Sequence, residues 1–170
     1  MARYKNHVVT IPDPVLRKKS SNLKKSEINS RNLNKLLEHM VKILDLYDGV
    51  GLSAVQIGLP KNLFIIRSNL DKEKINLKNW KDEIEVYINS EILQYHEPKV
   101  DSWEGCLSIP NIQCLVERAS KIKVRYIDLD GNEVVREIDD FKSIVFQHEY
   151  DHTQGILIID KAKQIKQVGD

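Results

Sequence analysis

The chain has 170 residues, of which 41% are hydrophobic and 30% charged, and its formal net charge is +1. That length suits one domain spanning residues 1–170 with a buried core, and so small a net charge provides no field to hold nucleic acid or an anionic membrane. Lys outnumbers Arg 19 to 7, where a dedicated phosphate reader favours the Arg fork, and no apolar run is long enough to span a membrane.

The opening Met1 to His7 has neither the apolar core of a signal peptide nor an Arg/Ser-rich transit segment, so a cytoplasmic location is expected. In that reducing compartment Cys106 and Cys114 stay as thiols, each a candidate ligand or a small buried side chain. Val8 to Leu16 contains Pro12 and Pro14 and reads as extended, with Asp13 and Pro14 starting a turn. From Ser30 to Leu46 the residues Leu33, Leu36, Leu37, Met40, Val41 and Leu44 recur at spacings of three and four, which predicts an amphipathic helix capped by Ser30. It ends at Asp48, and Gly49-Val50-Gly51 reads as a loop.

Leu63 to Ile66 reads as a buried strand, and Asn69 to Asp82 as an exposed excursion. Ile84 to Ile88 alternates as a half-buried strand should, with Glu85 and Tyr87 on the face away from Ile84, Val86 and Ile88. Further strands are predicted at Cys114–Glu117, Ile122–Ile127 and Glu133–Ile138, the last two joined by a hairpin turn at Asp128 to Asn132. A second helix is predicted from about Asp140 to Thr153, stopping near Gly155, with a short last strand at Ile156–Ile159. These elements give an α+β fold: mainly antiparallel sheet around a central helix.

That helix carries His148-Glu149-Tyr150-Asp151-His152, an H-E-x-x-H motif. Residues four apart on a helix lie about 40° apart around the axis and roughly 6 Å along it, so both imidazoles reach one ion while the intervening Glu faces its open side. Two incidental histidines on a helix face are the plainer alternative; with only five His in the chain and a Glu in the required place, the metal reading is preferred. A catalytic site takes a third protein ligand and leaves one position open. His96, Asp160 or a thiolate could serve, and Cys106 in Glu104-Gly105-Cys106-Leu107-Ser108 is the best candidate, since Gly105 permits close backbone approach. Gly49 to Gln56 lacks the continuation of a phosphate loop and fits close approach to a bound peptide, with Gln56 offering an amide donor.

In order and separation these segments resemble peptide deformylase, whose pattern is a G-x-G-x-A-A-x-Q loop, an E-G-C-L-S segment and an H-E-x-x-H helix; Ile11 to Arg17 also looks like that family's N-terminus. Ser53 stands where Ala is usual, Thr153 where Leu is common, and Gln113 where many members carry Arg. The resemblance implies a metal-dependent amidohydrolase that removes the formyl group from N-terminal formylmethionine of nascent peptides and releases formate. It implies Cys106, His148 and His152 as ligands of one divalent ion, Fe2+ first, with Zn2+, Ni2+ or Co2+ as substitutes. Glu149 would take a proton from the metal's water and pass it to the leaving amine while hydroxide attacks the formyl carbon, and Gln56 with the Leu107 backbone N–H would hold the oxyanion. Gly51 would pair its backbone with the peptide, and Val50, Ile144 and Val145 would wall the pocket for the Met side chain, whereas Phe141 is read as core packing. An Asp151–Arg118 pair is also expected, as a surface salt bridge or as something more. Some members dock on the ribosome through a long C-terminal helix; with only Asp160 to Asp170 after Ile159, a transient ribosome contact is left open. A metalloendopeptidase shares H-E-x-x-H but takes a His or Glu as third ligand, and no such motif follows His152.

Overall fold

A computed structural model describes residues 4–69 and 74–169. Helix α1 spans Arg31–Leu46, and the Ser30 hydroxyl accepts from the Leu33 N–H at 3.1 Å, the expected cap. Its apolar stripe packs on a sheet of β1 (Gly51–Ser53), β2 (Leu63–Arg67), β3 (Ile84–Cys106), β4 (Ile109–Ile127), β5 (Glu133–Asp139) and β6 (Ala162–Gln167). Every pairing is antiparallel: β1 to β5 lie in sequence order, and β6 joins the stretch of β4 that β5 leaves free. Short helices lie at Trp80–Glu83 (α2) and Ile158–Lys161 (α4), and α3 runs Asp140–Thr153.

Strand β2 is covered on both faces, and this positions the rest. Leu63 and Ile65 join the core beneath α1, while Phe64 and Ile66 join the core beneath α3, with Val145, Phe146 and Tyr87. Helix α3 is therefore central. Its buried polar residues are satisfied by the sheet: Ser143 donates to the Ala119 carbonyl at 3.0 Å, and Gln147 both donates to that carbonyl and accepts from the Ala119 N–H.

Several expectations change. Cys114–Glu117 and Ile122–Ile127 are parts of one strand, β4, because the intervening Arg118 is buried against carboxylates and does not break it. Strand β3 runs from Ile84 on to Cys106, bending at register shifts after Ile88, Ile92 and His96. Tyr87 is fully buried against Phe64, Phe146 and Tyr126, since the second face of this strand is covered too. The opening is extended only to Thr10, whose carbonyl accepts from the Asp13 N–H at 3.1 Å across a turn at Ile11-Pro12; the Asp13 carboxylate then accepts from the Val15 N–H at 2.9 Å and starts a 3-10 turn at Pro14–Arg17. Gly51 belongs to a strand, not a loop. Within the excursion, Ile75 and Trp80 are buried; Leu70 to Glu73 lie outside the described residues.

Ile156–Ile159 is not a strand. The Asp160 carboxylate accepts from the Leu157 N–H at 2.8 Å and turns the chain into α4, after which Ala162–Gln167 forms the last strand. Gly155 has φ +75°, and a Cβ there would come within 2.6 Å of the Arg17 carbonyl oxygen, so glycine is required where the chain leaves α3. Among the described residues no helix is long and apolar enough to cross a membrane.

Candidate metal centre and cleft

Two elements, β3 and α3, bring the candidate ligands together. Cys106 ends β3 at the tight turn into β4, and His148 and His152 lie one turn apart on α3 with ring centroids 5.1 Å apart. Sγ and one nitrogen from each ring lie within 4.8 Å of one another, and Sγ is 3.3 Å from His152 Nε2. A tetrahedral ion with one sulfur and two nitrogen ligands needs sulfur–nitrogen separations of about 3.6 Å, so this donor set fits one divalent transition metal. The other proposed third ligands lie elsewhere: Asp160 pairs with Arg17, and His96 sits 3.6 Å from Glu137.

Sequence reasoning assigned no task to Glu104. Its Oε2 accepts from His148 Nδ1 at 2.9 Å, which leaves the other His148 ring nitrogen free to ligate. Burial opposes its ionisation, but the Arg118 fork and His148 outweigh burial and hold its carboxyl down at about 2. The signal was Glu104 itself, two residues before Cys106, but nothing in spacing couples it to Arg118 across the hairpin. Without a metal, burial works against protonating His148, yet the hydrogen bonds to Cys106 and Glu104 raise it well above the usual imidazole value; burial and then His148 hold His152 well below.

Glu149 is 3% exposed and its Oε2 has no hydrogen-bond partner. Burial raises its carboxyl to about 7, the range a proton acceptor needs near neutral pH. Gly51 lies against it: a Cβ on Gly51 would sit 2.6 Å from Glu149 Oε1 and 2.9 Å from its Cγ. Gln56 is 1% exposed. Its Oε1 accepts from the Ser53 N–H at 2.9 Å, which aims Nε2 at Ser108 Oγ (3.2 Å) and Cys106 Sγ (3.9 Å). Ser53 is itself fully buried, as is Thr153, whose hydroxyl donates to the Tyr150 carbonyl at 2.7 Å.

A cleft of about 380 Å³ opens onto this cluster. Val50, Gly51, Gln56, Leu107, Ile144 and Val145 all line it, as do Cys106, His148 and Glu149. Phe141 lines it too and is 51% exposed, so the expectation of core packing there is corrected: α3 turns that residue outward at its first turn. Gln113, noted in the sequence as a departure from the family pattern, also lines the cleft, as do Trp103 and Val168, which sequence reasoning did not single out; Val168 follows β6, a strand that was not foreseen.

Antiparallel sheet around a helix carrying two histidines and a glutamate, with a thiol turned onto them, defines an α+β protein with a candidate metal site in a cleft. A family model described as polypeptide deformylase matches residues 5–168. Peptide deformylase of Leptospira biflexa is 34% identical over 166 residues, 95% of this chain and 90% of that protein. That of Thermotoga maritima is 36% identical over 156 residues, 92% and 86% of the two chains. Among solved structures, the Plasmodium falciparum enzyme superposes with TM-score 0.83 at 32% identity, covering 92% of this chain and 86% of its own. A Met-Ala-Ser-bound class I type b enzyme from Acinetobacter baumannii gives 0.82 at 30%, covering 95% and 99%. The chain belongs to the polypeptide deformylase family.

Proposed function

We propose that this protein hydrolyses the formyl amide at the N-terminus of formylmethionyl nascent peptides and releases formate, with Cys106, His148 and His152 holding one divalent metal. The observation that carries the reading is an unpartnered, buried Glu149 carboxylate oxygen in the same cleft as a cluster of one thiol and two imidazoles. When bound, the metal lowers the pKa of a water and polarises the formyl carbonyl; Fe2+ is the first candidate, with Zn2+, Ni2+ and Co2+ as substitutes.

The chain's own groups supply the rest. Glu149 Oε2 accepts a proton from the attacking water, whose oxygen bonds to the formyl carbon, and returns it to the amine as the carbon–nitrogen bond breaks. The Gln56 Nε2 amide and the Leu107 backbone N–H donate to the oxyanion. Gly51, bare at the cleft wall, lets a peptide backbone approach beside Glu149. Val50, Ile144 and Val145 line an apolar side of the cleft suited to a Met side chain. A related enzyme binds Met-Ala-Ser, which supports peptides of that kind as ligands here. The free thiols Cys106 and Cys114 are compatible with a reducing cytoplasm.

Gln56→Ala is expected to keep its metal and lose formate release from formyl-Met-Ala-Ser by about 10²–10³-fold, the usual effect of removing one oxyanion donor. Turnover near wild type would take Gln56 out of that role. Val145→Trp fills the apolar side of the cleft, and its KM for formyl-Met peptides should rise at least about tenfold, since each 1.4 kcal/mol of lost binding is a factor of ten. Unchanged kinetics would move the methionine pocket elsewhere.

A further inference from the structure

Arg118 takes no part in the chemistry above, yet it is 2% exposed and its guanidinium is bonded on every side. Nε donates to Glu104 Oε1 at 2.8 Å and Nη2 to Glu104 Oε2 at 2.9 Å, a two-bond fork. Nη1 donates to Asp151 Oδ2, and Lys161 Nζ reaches the other Asp151 oxygen at 2.7 Å. The expected Asp151–Arg118 pair therefore exists, but it is buried and is part of a larger network. We propose that Arg118 is a positioning residue for the metal cluster, acting through Glu104 on the ring of His148; this rests on the metal reading of that cluster.

Two parallel N–H···O bonds fix the plane of a carboxylate as a single contact cannot. One of the oxygens so fixed, Glu104 Oε2, is also the acceptor for His148 Nδ1 at 2.9 Å. The guanidinium thus sets the carboxylate, the carboxylate sets the imidazole plane, and the plane aims the ligating nitrogen at Cys106. The two carboxylates are not equivalent. Asp151 keeps Lys161 if Arg118 is lost, whereas Glu104 is left with His148 alone. Loss of Arg118 should therefore fall on the His148 arm of the cluster. A network that merely ties β4 to α3 would weaken the fold and leave the metal's surroundings unchanged.

The test compares Arg118→Lys, which keeps the cation but cannot span both carboxylates, with Asp151→Asn, which leaves the Glu104 fork whole. Metal-free proteins are titrated with Zn2+ and Co2+, the visible absorption of the Co2+ forms is recorded, and thermal unfolding is measured on each. Arg118→Lys should bind metal about 10–100-fold more weakly, the usual effect of losing a partner behind a ligand, and shift the Co2+ spectrum. At saturating metal its kcat for formyl-Met-Ala-Ser should fall with little change in KM. Asp151→Asn should match wild type in affinity and spectrum even where its Tm drops. Should Arg118→Lys not fold, Arg118→Gln breaks the same fork while leaving Glu104 in place, and it carries the same expectation. Wild-type affinity and spectrum with only a lower Tm would overturn the proposal, as would equal weakening in both variants. Neither affinity nor spectrum involves a formyl peptide, so a wild-type protein that released no formate would count against the proposed reaction and not against this role.

Discussion

Glu149→Gln is expected to lower formate release by about 10²–10⁴-fold, the range for removing a general acid–base group, while retaining its metal. The amide is close in shape to the carboxylate it replaces, so the cleft and the cluster beside it stay as they are. The same substitution should stabilise the metal-free protein above neutral pH. Burial raises the Glu149 carboxyl from 4.5 to about 7 in the fold. A raised acid is neutral in both folded and unfolded chains below pH 4.5, so the two proteins match there. Between pH 4.5 and 7 the unfolded chain ionises first and the folded state is penalised; above about 7 the penalty is complete. At about 1.4 kcal/mol per pH unit it amounts to roughly 3 kcal/mol. Thermal unfolding of both metal-free proteins at pH 4 and pH 8 checks this. A variant that turned over formyl peptides normally, or that gained nothing in stability at the higher pH, would show that Glu149 is not a desolvated base.

Gly51→Ala should cost about 10²-fold in kcat, the effect of displacing a reacting group by roughly 1 Å. The new methyl would lie 2.6 Å from Glu149 Oε1, 2.9 Å from Cγ and 3.0 Å from Cδ. A clash with the tip alone could be relieved by rotation, but here three atoms of a side chain only 3% exposed are involved, so the carboxylate must leave its place. Coupling makes the prediction specific. In a Glu149→Gln background the same Gly51→Ala change should cost little of the remaining rate, because the group it displaces no longer works as a base. Multiplicative losses in the double variant would mean that Gly51 acts on the peptide alone. Metal content should match wild type in all three proteins.

What the sequence revealed of this site follows from what is local. His148 and His152 are tied by one helical turn, and the helix was readable from its own residues. The Ser30 cap and the Asp128 to Asn132 turn are local in the same way. Arg118 shows the opposite case: it falls in the gap between the strands predicted at Cys114–Glu117 and Ile122–Ile127. It is held inside one strand by carboxylates 14 positions back and 33 positions on, which no periodicity reports. Asp160 likewise converted an apolar run into a short helix through one side-chain bond, and that moved the last strand and brought Val168 to the cleft. Phe141 was misread because an apolar stripe cannot tell a core from the wall of a cleft.

The proposed reaction needs one divalent ion held by Cys106, His148 and His152 beside a working Glu149. The most direct measurement is metal content and formate release on the same protein, purified without air, before and after chelation and again after Fe2+ or Zn2+ is restored. One metal per chain is expected, with formate release lost and regained in step with it, and neither should persist in Cys106→Ala. Formate released at full rate by the chelated protein, or a full complement of metal in Cys106→Ala, would contradict the account.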